Sequence, residues 1–210
     1  MTNEVKKSPW PSRFELGFDI LKLIAAGTIV LASLATPNLA QVLPVLNFDP
    51  NDRRRRPYHP SDISRAVKIL KKGSFIHRVR TRNGYAIHLT ERGEAALARF
   101  EIGNLKLKNP EKWDGKWRLI IFDIREWHKH VRNRVRELLV QNNFLWLQDS
   151  VWIYPFPCEE FAELIKTGYG VRHELLYLVV SSMAYDERLR NHFSFIFGRS
   201  FARTTESSES

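Results

Sequence analysis

Asp123 ends the apolar run "WRLIIF", residues 117–122, and a stretch crowded with Arg and Lys follows it. A carboxylate at a strand end is where a divalent cation can be held for phosphodiester cleavage. A hard cation needs more than one such oxygen ligand, with water and phosphate completing the shell. Glu126 is the other acid close in sequence, and a symmetric dimer would bring two copies of Asp123 together. Arg125 competes for the same carboxylate, and Trp127 is bulky. The plainer role for Asp123 is to cap a helix start or to pair with Arg125. His128 and His130 stand two apart, on different faces of a helix, so they do not clamp one metal and read as surface or DNA-facing residues. Cys158 is the single cysteine, so it forms no intrachain disulfide, and no Cys/His cluster has zinc spacing. It reads as a small residue at a helix start, with a nucleophilic role as the alternative. Dinucleotide-binding, P-loop and nucleophile-elbow motifs are absent from the sequence.

The charge points elsewhere. Thirty-three Lys and Arg oppose 23 acids, a net +10 with a pI near 9.9. Such an excess favours anionic partners. Between Arg53 and Arg82 there are eleven Lys/Arg and one acid, Asp62. Eleven against one leaves +10, so the rest of the chain sums to zero. One segment carries the whole imbalance, as a specific binding face would.

The elements around that segment read as follows. Residues 1–13 form a loose arm. Residues 14–35 read as one long, nearly all-apolar helix, which is normally buried. Its core, "LIAAGTIVLASLA", follows Lys6 and Lys7 as a signal-peptide core would. The run is shorter than the roughly 18–20 residues of a membrane span. A core helix is the reading and a membrane anchor over residues 16–35 the alternative. A short helix, "NLAQVL", lies between Pro37 and Pro44. After the loop "NFDPNDRRRRPYHPSD", Ser61 is expected to cap "DISRAVKILKKG", with Ile63, Val67 and Leu70 inward and Gly73 as the stop. Residues 75–80 and 85–89 alternate as strands around Asn83-Gly84, a strong hairpin signal. A helix then starts at Thr90. Helix, helix, basic helix and basic hairpin is the layout of a winged helix-turn-helix over residues 14–100, and "LTERG" resembles the usual exit from such a wing.

Residues 101–112 read as a linker. Residues 113–197 read as a second domain, with strands "WRLIIFDI", "FLWLQ", "SVWIYPF" and "ELLYLVVSS" and two helices between them. This βαββαβ order is ferredoxin-like. In its first helix Trp127, Val131, Val135, Leu138 and Leu139 make the expected buried stripe, and Lys129, Arg132 and Arg136 an outer face. "RLRNHFSFIF" adds a short helix or strand, and residues 198–210 read as a disordered tail. The fold class is therefore α+β.

"WDGKWRLIIFDI", residues 113–124, then a basic helix, then "QDSVWIYPFPC", residues 148–158, resembles the middle domain of the PaaX-type transcriptional repressors. That domain is similar to the CRISPR-associated endonucleases of the Cas-two type. The resemblance covers roughly residues 110–185 and extends to the N-terminal winged helix. It implies a symmetric dimer and, at the position of Asp123, a divalent-metal ligand. Gln148, Ser150 and Val151 match the family's second block, and Asp149 replaces a usual basic residue. PaaX-type repressors bind operator DNA and answer to an acyl-CoA effector. They carry a further C-terminal domain, for which this chain is expected to be too short.

The expectation is a cytoplasmic regulator of bacterial type that binds double-stranded DNA, dimerises through its ferredoxin-like domain and needs no cofactor. Ser61, Asp62, Ser64 and Arg65 would lie near base edges and Lys68 deeper or near phosphate. Lys71 and Lys72 would bind phosphates. Arg78, Arg80 and Arg82 would sit on the wing, and Arg53, Arg54, Arg55 and Arg56 in a minor-groove or phosphate-contacting loop. The alternative is a metal-dependent endonuclease that uses Asp123 and Mg²⁺.

Overall fold

Helix α1, Ser12–Ala25, buries Leu16, Ile20, Leu21 and Ile24, a helical spacing that turns one broad face inward. A computed structural model describes residues 12–26, 30–31, 58–82, 84–107, 112–184 and 186–198. The chain divides into two compact units, Met1–Asn104 and Leu105–Ser210. The single helix expected over residues 14–35 is corrected: α1 stops at Ala25, and Val30–Leu31 form strand β1. Gly27 and the β-branched Thr28, Ile29 and Val30 follow Ala26 in the sequence, and these residue types favour strand over helix. Among the described residues no helix is long and apolar enough to cross a membrane. The arm at residues 1–11, the helix expected at "NLAQVL" and the tail from residue 199 lie outside the described residues.

The first unit continues with α2, Pro60–Lys72, then β2, Ile76–Thr81, and β3, Gly84–Leu89, and closes with α3, Glu91–Asn104. Its sheet has the order β1-β3-β2, all antiparallel. Thr81 pairs with Gly84, so Gly84 belongs to the returning strand and not to the expected Asn83-Gly84 turn. The core joins α1 to Ile63 and Leu70 of α2, Ile76 of β2, and Leu97 and Phe100 of α3. Phe18 stacks on Phe100 with ring centroids 4.0 Å apart.

"LTERG" has a physical explanation here. Thr90 caps α3: its Oγ1 accepts from the Gly93 amide at 3.1 Å and donates to the Ser74 carbonyl at 2.6 Å. The Thr90 amide donates to the Phe75 carbonyl at 3.1 Å. A Cβ on Gly93 would stand 2.0 Å from that same Phe75 oxygen, so only glycine fits. Helix α3 also runs to Asn104 with Ile102 buried, four residues into the expected linker.

The second unit has the order β4 (Trp117–Phe122), a 3₁₀ turn (Glu126–His128), α4 (Lys129–Gln141), β5 (Leu145–Gln148), β6 (Val151–Tyr154), α5 (Glu159–Tyr169), β7 (Leu175–Val180) and α6 (Glu187–Phe197). Its sheet has the order β5-β6-β4-β7, antiparallel throughout. The strand after each helix lands away from its predecessor, the split-βαβ arrangement. One sheet face carries Ile120, Phe122, Trp152, Tyr154 and Leu175, all buried. Tyr154 on that face stacks on Phe144, which stacks on Phe161 of α5. The opposite face carries Leu119, Ile121, Val151, Leu176 and Leu178.

Arg118 is the charged residue buried in this sheet, 4% exposed. Its Nη atoms donate to both Asp114 carboxylate oxygens and to the carbonyls of Lys116 and Pro155 at 2.8 Å. The Arg118 hydrogen bonds hold the Asp114 carboxyl below its usual range, against an opposing push from burial. The clamp ties the loop before β4 to the end of β6.

Candidate nucleic-acid interface

The start of α2 differs from the expectation that Ser61 caps it. His59 is the N-cap and Pro60 opens the helix, so Ser61 lies within the first turn. A proline at the first helical position is preorganised for the helix and loses no needed donor. His59 Nδ1 accepts from the Ser61 amide at 3.3 Å and lies 2.8 Å from its hydroxyl. At the other end Gly73 has φ −79, which any residue adopts, and Ser74 takes the left-handed conformation with φ 56. Gly73 is needed for space: a Cβ there would stand 2.5 Å from the Phe75 ring.

This framing fixes which side chains face out. Ile63 and Leu70 are buried in the core, with Ala66 and Val67 packed against it. Ser61, Asp62, Arg65, Lys68, Lys71 and Lys72 are exposed, and Ser64 is half-buried. Ser61, Arg65, Lys68 and Lys72 follow the spacing of one helical stripe. Arg65 approaches Asp62 only at 3.9 Å. Sequence reasoning missed Ile69, which is 59% exposed within this basic surface. Its exposed neighbours Arg65 and Lys72, four residues before and three after, were the available signal.

The hairpin adds Arg78, Arg80 and Arg82, all exposed. Arg78 and Arg80 share one face of β2. The Arg78 guanidinium lies over the Tyr85 ring at 4.2 Å, a cation–π contact that orders it. From residue 58 to 82 seven cations oppose one acid. Arg53, Arg54, Arg55 and Arg56 lie outside the described residues.

Asp123 sits where β4 ends. Its amide donates to the Glu174 carbonyl at 2.8 Å, and its side chain is exposed. It caps nothing: Arg125 and His128 are the N-caps of the 3₁₀ turn and of α4, and neither cap has a side-chain hydrogen bond. Arg125 does not pair with it either; its guanidinium lies 5.0 Å from the centroid of the Trp127 ring. Glu126 is engaged by Arg132 at 2.7 Å. Among the described residues no three His, Cys, Asp or Glu side chains gather as a metal group. Within one chain the residues around Asp123 therefore do not supply the donor set of a hard cation.

The expected buried stripe holds for Val135, Leu138 and Leu139 and fails at Trp127, which is 68% exposed. The 3₁₀ turn before α4 breaks the helical phase that would carry Trp127 inward. Cys158 precedes α5, is buried, and has its thiol pushed up to about 12 by that burial. Such a thiol is inert as a nucleophile near neutral pH.

None of the curated proteins matches this chain. Residues 110–191 match the family described as the PaaX protein central Cas2-like domain. Through those residues the second unit is similar to that family domain.

Proposed function

We propose that the chain is a PaaX-like transcriptional repressor whose first unit is a winged helix-turn-helix that binds double-stranded DNA in the cytoplasm. One observation carries the reading. The cations of residues 65–82 all face solvent, while Leu70 and Ile76 between them are buried in the core. Helix α2 then presents Ser61, Ser64 and Arg65 to base edges, with Lys68, Lys71 and Lys72 on phosphates. The hairpin of β2 and β3 is the wing, and Arg78, Arg80 and Arg82 track the backbone or enter the minor groove. Arg53–Arg56 extend the same charge.

The Cas2-like unit is proposed to dimerise. The sheet face of Leu119, Ile121, Val151, Leu176 and Leu178 is apolar, and Leu176 and Leu178 are 57% and 42% exposed. A second copy would cover it and pair two DNA-reading units. A monomeric mass by light scattering would refute this part.

The test of DNA binding is fluorescence anisotropy with genomic fragments across a salt series. If Lys68, Lys71, Lys72, Arg78, Arg80 and Arg82 all neutralise phosphates, log K falls with log salt at a slope of about −5 per reading unit. Arg65→Ala should weaken binding, whereas a slope near zero overturns the reading. Mg²⁺-dependent cleavage of the DNA, abolished by Asp123→Ala, would replace it with the nuclease alternative.

A further inference from the structure

We propose that the Cas2-like unit carries a binding site for single-stranded nucleic acid, in which an unpaired base stacks on Trp127. The site does not depend on the DNA-reading role of the first unit.

Trp127 is a large apolar side chain that the fold leaves in water. Its place in the 3₁₀ turn between β4 and α4 holds it out of the core that Val135 and Leu139 enter. The ring is ordered on one side by the Arg125 guanidinium at 5.0 Å. An indole held this way offers its remaining surface as a stacking platform, which any base can use.

The surroundings are suited to an anionic ligand. From residue 123 to 137 the cations are Arg125, Lys129, Arg132, Arg134 and Arg136, and the acids are Asp123, Glu126 and Glu137. Two of the acids are neutralised internally, Glu126 by Arg132 at 2.7 Å and Glu137 by Arg134 at 2.9 Å. Arg136 donates to the Asp149 carbonyl and keeps its charge. Arg125, Lys129 and Arg136 therefore remain against Asp123 alone. His128 and His130 are exposed beside Trp127, their rings 6.3 Å apart, and supply further hydrogen-bonding groups.

A single strand is favoured over a duplex because the feature being matched is an aromatic face. Bases in a duplex present only their edges, and a stacking platform needs an unpaired one. An acidic protein segment would satisfy the cations and leave the exposed indole without a counterpart.

The experiment measures fluorescence anisotropy of a labelled 15-nucleotide oligothymidine and of a labelled duplex of equal length, with the full chain. Trp127→Ala should raise the single-strand Kd by about five- to 150-fold and leave the duplex Kd unchanged. Trp127→Phe should recover most of the loss. Arg125→Ala with Lys129→Ala should flatten the single-strand salt dependence. Because these side chains are exposed, circular dichroism melting should match the parent, and the loss then reports binding and not folding. The proposal is overturned if oligothymidine fails to bind or binds Trp127→Ala as it binds the parent. It is also overturned if Arg65→Ala with Lys68→Ala removes single-strand and duplex binding together. Loss of duplex binding alone in that double variant supports two separate sites, and absence of duplex binding by the parent refutes only the first unit's role.

Discussion

Asp114→Ala tests whether the buried Arg118 clamp holds the Cas2-like unit together. The substitution removes two charge-assisted hydrogen bonds from a guanidinium that is 4% exposed, leaving the carbonyls of Lys116 and Pro155 as its acceptors. Removing one partner of a fully buried ion pair costs about 3–5 kcal/mol. The Asp114 side chain is 45% exposed, so water reaches that side of the pair. The expected cost falls toward the lower range for hydrogen bonds to charged groups, about 2 kcal/mol. Five of the six tryptophans lie in this unit, at 113, 117, 127, 146 and 152, so tryptophan fluorescence during urea unfolding reports on it. The midpoint should fall by about 1 M for a urea slope in the ordinary range. Arg118→Met with Asp114→Ala should cost no more than Arg118→Met alone, because Asp114 acts through Arg118. Acid gives a second signature. The Asp114 carboxyl is held below its usual range, chiefly by the Arg118 hydrogen bonds. Its contribution is therefore present above the unfolded value of about 3.9 and is lost as pH falls through the lower folded value. Asp114→Asn should flatten that acid limb. An unfolding free energy within about 0.5 kcal/mol of the parent for Asp114→Ala, or additive single and double variants, refutes the clamp.

Gly93→Ala should unfold or severely weaken the first unit, because its Cβ would stand 2.0 Å from the Phe75 carbonyl oxygen and backbone must move. The cost is about 3 kcal/mol or more, read as a drop in melting temperature of about 10 °C or more by circular dichroism. Cys158 should resist iodoacetamide at pH 8 in the folded protein and react on unfolding, since burial raises its thiol to about 12; rapid alkylation of the native chain would contradict that burial.

The second unit was legible because its periodicities change sharply. A nearly continuous apolar strand, a helical stripe and two alternating strands leave few other orders for residues 117–180. The failures have local causes. Trp127 and Val131 are four apart, which puts them on one face only if the helix is continuous, and a 3₁₀ turn ends at His128. Residues 23–35 are apolar throughout, so composition did not mark the helix end, whereas Gly27 and three β-branched residues did. Pro60 moved the start of α2 ahead of Ser61, the stronger capping residue by type. The role of Arg118 was not legible: one Arg within an apolar strand does not reveal a carboxylate four residues back in a loop.

Charge pairing separates the two units better than composition does. In the Cas2-like unit the structure pairs Arg118 with Asp114, Arg132 with Glu126, Arg134 with Glu137, Lys166 with Glu163 and Arg190 with Asp186. These cations spend their charge on the fold or on surface pairs of small value. Along α2 and β2 only Arg65 approaches an acid among the described residues, and it does so at 3.9 Å. Lys68, Lys71, Lys72, Arg78, Arg80 and Arg82 keep their charge available to a ligand. Arg125 and Lys129 likewise form no salt bridge among the described residues, and they flank an exposed indole. Unmatched charge, and not the position of Asp123, is therefore what supports the two nucleic-acid surfaces proposed for this protein.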